Sequence, residues 1–302
     1  MTDLNARMPP GNDVTQRTVT KPAFSNDLFE AVLHRANLQQ AWKQVRANKG
    51  AAGIDGMAIE EFPAWVKAGH WSVVQQSIRS DDYQPAPVRR VEIDKPDGGK
   101  RQLGIPTVTD RVIQQAIAQI LVPLFDPGFS ADSYGFRPGR NAHQAVRRVQ
   151  SILKDGRRFA VDVDLSKFFD RVNHDLLMTH LGYKVQDKRL LNLIARYLRA
   201  GIIDNQLYLE SREGVPQGGP LSPLLANIML DPLDKELERR GYRFTRYADD
   251  FTIVVNSRRA GDRILASISH FLEHRLKLTV NTAKSRVVRT NESRQAQGPI
   301  LL

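Results

Sequence analysis

The stretch Thr245-Arg246-Tyr247-Ala248-Asp249-Asp250-Phe251-Thr252-Ile253-Val254-Val255 sets two adjacent acids between runs of strand-forming residues. β-Branched and aromatic residues favour strands, and Asp favours tight turns. The segment therefore reads as strand–turn–strand, with Asp249 and Asp250 at or beside the turn. Both arms are apolar, so the turn is expected to emerge from a buried sheet.

An Asp-Asp turn taken alone is most often structural. A second acidic segment changes the reading. Phe159-Ala160-Val161-Asp162-Val163-Asp164-Leu165 is another apolar strand that ends in carboxylates. Side chains alternate along a strand, which puts Asp162 and Asp164 on one face. If the two strands are neighbours, their carboxylates converge and repel one another. A divalent cation relieves that repulsion, and oxygen ligands favour Mg²⁺, which completes its shell with water and substrate phosphates. Such a site suits two-metal phosphoryl transfer, with the ions about 3.5–4 Å apart. Spacing alone leaves open polymerase or nuclease, and Asp162 or Asp164.

The charge balance points the same way. Lys and Arg number 44 against 33 Asp and Glu, a net charge of +11, which suits a polyanionic partner, nucleic acid before an anionic membrane. The absence of cysteine excludes disulfides and thiolate metal sites. No apolar run is long enough to span a membrane, and residues 1–27 lack the apolar core of a secretory signal. They read as a flexible leader. A soluble, cytoplasmic protein of the bacterial type, associated with RNA, is expected.

Helical periodicity begins at Leu28 and continues through Val45. A second helix is expected over Ile59–Ile78. Val88–Ile105 reads as a hairpin with Pro96-Asp97-Gly98-Gly99 at its tip. Further helices are expected over Arg111–Leu124, Asn141–Leu153 (Asn141 as cap), Asp175–Leu181 and Lys188–Ala200. Another opens at Ser222-Pro223, with Ser222 as N-cap, and is bent or interrupted at Pro232. Ile264–Leu276 is helical, and Leu278–Val280 with Val287–Val288 are short strands. Helices mixed with antiparallel strands, without regular alternation, indicate an α+β fold.

The residues together resemble a known family. Tyr247-Ala248-Asp249-Asp250, the segment from Asp164 to Asp170 with Phe168-Phe169, and Val215-Pro216-Gln217-Gly218-Gly219-Pro220-Leu221-Ser222-Pro223 are similar to group II intron-encoded reverse transcriptases. So are Arg89–Arg101, Gly104–Arg111, Ser133-Tyr134-Gly135-Phe136-Arg137-Pro138-Gly139-Arg140, and the upstream Asn48-Lys49-Gly50 with Gly53-Ile54-Asp55-Gly56. The likeness covers roughly Leu28 to Arg289.

The resemblance implies a right-hand polymerase fold with fingers and palm, the palm an antiparallel sheet packed on helices. The fingers with an N-terminal extension would cover 28–158 and the palm 159–290, including helices over 174–240. Residues 291–302 read as an unstructured tail, and the family's helical thumb is expected to be absent, as in a truncated or frame-disrupted member. The resemblance selects Asp164, with Asp249 and Asp250, as catalytic carboxylates. These three and the Leu165 carbonyl would hold two Mg²⁺, with Mn²⁺ able to substitute.

Lys95 and Arg101 would grip the triphosphate, and Phe169 would exclude a 2′-hydroxyl. Gln217 would line the nucleotide pocket, and Lys284 would protonate pyrophosphate. Asp94 departs from the family, which often has proline there. Arg137, Arg140, Arg147 and Arg148 form a basic stretch suited to template phosphates. The implied partners are an RNA template, a DNA or RNA primer, dNTPs and a host intron RNA. Nothing in the sequence decides between monomer and homodimer. The alternative reading is an RNA-binding splicing cofactor without useful turnover, and a metal-dependent nuclease is a third.

Overall fold

The computed structural model describes residues 27–94 and 98–290; the leader, the tail and Lys95 lie outside them. Among the described residues no helix is long and apolar enough to cross a membrane.

The first helical stretch forms two helices, α1 (Leu28–Leu33) and α2 (Arg35–Ala47). His34 between them is extended, and its Nδ1 accepts from Ala36 N. The single helix expected over Ile59–Ile78 is likewise two, α3 (Phe62–Lys67) and α4 (His70–Arg79). Gly69 separates them at φ +93°, a conformation glycine adopts without steric penalty.

The expected hairpin forms from β1 (Val88–Asp94) and β2 (Lys100–Ile105). It leads into α5 (Val108–Phe125), which starts earlier than its periodicity indicates because Thr107 Oγ1 caps Asp110 N. This helix is enclosed on most sides, with Val112, Ile113, Ala116, Ile117 and Leu121 all buried. Asn141 caps α6 (Ala142–Lys154) as expected, in a reciprocal capping box with Gln144.

Next come β3 (Phe159–Val163), α7 (His174–Gly182) and α8 (Lys188–Arg199). A second hairpin follows that the sequence reading did not foresee, β4 (Ile202–Asp204) and β5 (Leu207–Leu209). Its turn residues Asn205 and Gln206 both have positive φ. Without the glycine usual in such a turn, the hairpin signal is hidden. β4 pairs in parallel with β1, giving a first sheet of order β2-β1-β4-β5.

The helix α9 (Ser222–Arg239) begins one residue earlier than expected. Leu221 is the N-cap, while the Ser222 hydroxyl donates to Pro216 O. Pro232 does not interrupt it. Fully buried Leu230, Leu233 and Leu237 hold the helix by packing across the lost hydrogen bond. The chain closes with β6 (Arg243–Tyr247), β7 (Asp250–Val255), α10 (Arg258–Arg275) and β8 (Arg286–Arg289).

The second sheet has order β6-β7-β3-β8, antiparallel throughout. Its two faces differ. Val161, Val163, Phe251, Ile253 and Val287 point into the main core. α10 approaches that face so closely that a Cβ on Gly261 would lie 2.6 Å from Val287 Cγ1. On the other face Val254 packs with Val149 and Ile152 of α6. Alternation places Asp162, Thr252, Asp164 and Asp250 further along this α6 face.

Candidate active site

The strand register brings the acids together. β3 and β7 pair through Asp162↔Thr252 and Val163↔Phe251. That register brings the strand ends that carry Asp164 and Asp250 side by side. Asp162 accepts a hydrogen bond from Thr252 Oγ1 at 2.9 Å, and burial raises its pKa. It is thereby tied into the sheet.

Burial raises the pKa of Asp249, and the charge of Asp164 raises it further. Asp250 is pushed up to about 6, first by burial and then by Asp249 and Asp164. Arg101 and Lys284 draw it down. Arg101 from β2 and Lys284 from the 281–285 turn therefore sit within electrostatic reach of Asp250.

Leu165 forms an isolated antiparallel bridge with Val280. The flanking bonds, Ser166 N to Thr279 O and Asn281 N to Asp164 O, are both 2.8 Å. They make Leu165 and Val280 a non-hydrogen-bonded pair, so the Leu165 carbonyl points to the β7 side of the strand. Three carboxylates and a carbonyl are hard oxygen donors suited to Mg²⁺. Among the described residues no three acidic or histidine side chains converge into a ready-made cage.

The turn itself is held from behind. Tyr247 pairs with Asp250, leaving Ala248-Asp249 as the turn, with Ala248 at φ +58°. Arg246, fully buried, donates to Ala248 O at 2.7 Å. Its guanidinium also bonds both oxygens of Asp234, at 2.8 and 2.6 Å, and Asn227 Oδ1 at 2.9 Å. Asn227 Nδ2 donates to Gly135 O at 3.0 Å. Tyr134 N donates to Arg246 O, and Arg246 N to Asp132 O. Segment 132–135 therefore lies directly on the Ala248-Asp249 turn. A Cβ on Gly135 would fall 2.1 Å from Ala248 N, so only glycine fits there.

Sequence reasoning missed this network. Its signal was present: Asn227 and Asp234 are two polar residues seven apart on the buried face of α9. It also missed Phe136, which follows Gly135 at φ +60° and is 46% exposed. A bulky residue is rare in the left-handed region.

Phe168 is buried and Phe169 half-buried, their rings edge-on at 5.1 Å. Val215 N donates to Phe169 O, and Gly104 N to Gln217 O, both at 2.6 Å. The 214–219 loop thus joins β2 to the segment after β3 and brings Phe169 and Gln217 into one neighbourhood.

Arg137 is a correction to the template-binding set. It is buried, and its guanidinium bonds the Asp126 carboxylate and carbonyl and the carbonyls of Ser130 and Ser133. It has no N–H left for a phosphate and instead shapes the loop that supports the turn. Arg140 donates to Ala131 O and Ser133 O through Nη1 and lies over the Tyr134 ring, which leaves its other nitrogens open. Arg148 pairs with Asp132, and Arg147 is exposed.

An antiparallel sheet carrying carboxylates at the end of its central strands and packed on helices has the form of the palm of a right-hand polymerase. Residues 93–298 match the model of the family described as "Reverse transcriptase (RNA-dependent DNA polymerase)", and the chain belongs to that family. It is 34% identical to Protein YkfC of Escherichia coli, over 84% of this chain and 77% of that protein. It is 34% identical to the group II intron-encoded protein LtrA of Lactococcus lactis, over 86% of this chain but 42% of the relative's length. Among solved structures it is similar to a partial Cas6-RT-Cas1–Cas2 complex, with TM-score 0.50 and 26% identity over 82% of this chain and 42% of that one. A telomerase from Candida tropicalis shares the fold alone, with TM-score 0.52 and 13% identity over 68% of this chain and 41% of that one.

Proposed function

We propose that the chain is an RNA-directed DNA polymerase of the group II intron type. A primer 3′-hydroxyl attacks the α-phosphate of a deoxynucleotide on an RNA template, and pyrophosphate leaves. The observation that supports this reading is the pairing of β3 with β7 through Val163↔Phe251, next to the Tyr247↔Asp250 turn. Asp164, Asp249, Asp250 and the Leu165 carbonyl would hold two Mg²⁺. When bound, the ions lower the pKa of the attacking hydroxyl and stabilise charge on the leaving pyrophosphate. Arg101, together with Lys95, binds the triphosphate, and Lys284 donates a proton to pyrophosphate. Gln217 lines the nucleotide pocket, and Phe136 offers a stacking surface beside the turn. Residues 28–158 act as fingers and 159–290 as palm, with a host intron RNA as the natural partner.

Extension of a primer on an RNA template by the full chain, with dNTPs and Mg²⁺, tests this directly. Tight RNA binding without extension would favour a splicing-cofactor role, and RNA degradation without synthesis would favour a nuclease.

Phe169 closes the sugar pocket in this reading. Phe169→Val is expected to lower discrimination against ribonucleotides by about 10- to 200-fold, the range for a small steric change in a pocket. Competition between dNTP and rNTP measures it, and unchanged discrimination would remove Phe169 from the pocket.

The acids also predict a pH dependence. The folded pKa of Asp250, about 6, exceeds its ordinary value of 3.8. Below about pH 4 the group is neutral in both states and costs nothing; above about pH 6 its full cost is present. Metal-free protein therefore loses stability through this group as pH rises across that window. Mg²⁺ binds the ionised form, so its stabilising effect grows over the same window. The Mg²⁺-dependent rise in melting temperature should be larger at about pH 7.5 than at about pH 5, and the difference should shrink in Asp250→Asn.

A further inference from the structure

Across the sheet from the acids, on the side that α10 covers, a groove of about 550 Å³ runs between the end of α9 and the second half of α10. Three guanidiniums line it, those of Arg239, Arg240 and Arg275, against one carboxylate, Glu236. Glu236 holds two of them in place. Arg239 bonds it through Nε and Nη2 at 2.7 and 2.8 Å, and Arg240 through Nε at 2.7 Å. Arg240 also donates from Nη1 to Ser267 Oγ at 2.6 Å, which ties α9 to α10 across the groove. Nη1 of Arg239 and Nη2 of Arg240 have no acceptor among the described residues, and neither has any nitrogen of Arg275.

The second half of the lining is aromatic. The rings of His270 and His274 stack at 3.9 Å with 25° between their planes, and Phe271 lies beside them. His274 Nδ1 donates to His270 O at 3.0 Å, so its Nε2 remains open. Both histidines are exposed.

Guanidinium donors fixed by a carboxylate match phosphate oxygens in geometry and charge. Exposed ring faces next to them accept an unstacked base. An acidic peptide would use the first feature but not the second. We propose that this groove binds single-stranded RNA: its phosphodiester lies on Arg239, Arg240 and Arg275, and a base lies against the His270–His274 stack. The site goes beyond polymerisation. It lies on the sheet face away from the carboxylates, so it would hold RNA that is not being copied. The chain's net charge of +11 supplies the long-range attraction.

The test uses the full chain and a labelled single-stranded RNA of about 30 nucleotides, with affinity measured over a range of salt. Each lost phosphate contact should lower the slope of log K against log salt by about 0.7. Arg275→Gln, at a side chain without partners, should lower it by that amount, and Arg239→Gln/Arg275→Gln by about 1.4. His270→Ala should weaken binding by about tenfold through lost stacking. Ultraviolet crosslinking should map the RNA to the 270–275 segment. All three variants should extend a preformed primer–template at the unmodified rate, which separates this site from the active site. If polymerase activity is absent from the unmodified chain, the binding and crosslinking results still decide the groove. Unchanged affinity and slope, no crosslink at 270–275, or polyglutamate displacing RNA from the groove as effectively as unlabelled RNA would each overturn the proposal.

Discussion

Asp249→Asn is expected to reduce primer extension by about a thousandfold or more while leaving the protein at least as stable. The loss follows from the metal ligands. Asparagine keeps the size of the side chain but removes the charge that binds the cations, and metal stabilisation of the transition state is worth several kcal/mol, about a thousandfold in rate for about 4 kcal/mol. The stability follows from the pKa. Burial and the Asp164 charge both disfavour the ionised form of Asp249, so neutralising it removes a cost from the metal-free fold. A decrease in activity with an equal or higher melting temperature is the signature of a carboxylate kept for chemistry. Extension at near-normal rate by Asp249→Asn would remove the residue from catalysis. Equal losses of activity and melting temperature would make its role structural.

The second large effect lies behind the turn. Arg246→Met leaves Asp234 without its cation, and both side chains are fully buried. Removing one partner of a buried pair costs about 3–5 kcal/mol because the other stays uncompensated. For a chain of this size that lowers the melting temperature by on the order of 10 °C. Arg246→Met with Asp234→Leu removes both charges, and an apolar pair of similar volume restores most of the stability. Extension should not recover in the double variant, because Ala248 O still lacks the donor that fixes the turn. Recovery of stability and extension together would show that the pair serves packing alone.

Much of this architecture was legible beforehand because local chemistry and periodicity agreed. The acidic strand ends, the Val88–Ile105 hairpin and the Asn141 cap each rest on neighbours in sequence. The missed features depend on contacts between distant segments. Two helices broke where one was expected, at His34 and at Gly69, since an apolar stripe continues across a short break. The β4–β5 hairpin turns on Asn205-Gln206, which carries no glycine. At the site, Asp162, Asp164, Asp249 and Asp250 stood out as charges at the ends of apolar strands, and only the family resemblance chose Asp164 over Asp162. Arg137 misled for the opposite reason. A basic residue in a loop of Gly, Pro and Arg reads as solvated, and only the fold shows Asp126 and two carbonyls closing around it. Arg246 was hidden because its acid and its amide both lie on α9, a separate element from the strand that carries it.

Among the described residues the β1–β2 hairpin is held mainly near its root. Val88 N bonds Gly201 O, Gly104 N bonds Gln217 O, Arg89 donates to Ala52 O, and β4 pairs with Val88 and Arg89 and holds Arg90 through Asp204 at 3.0 Å. Further out, Lys100 and Glu92 are linked across the two strands at 2.6 Å. Such an arm is a cantilever: stiff across its width, compliant about its base. A small tilt at Gly104 swings Arg101 through a larger arc while the acids stay still, so in the proposed polymerase an incoming triphosphate would meet one yielding jaw and one fixed jaw.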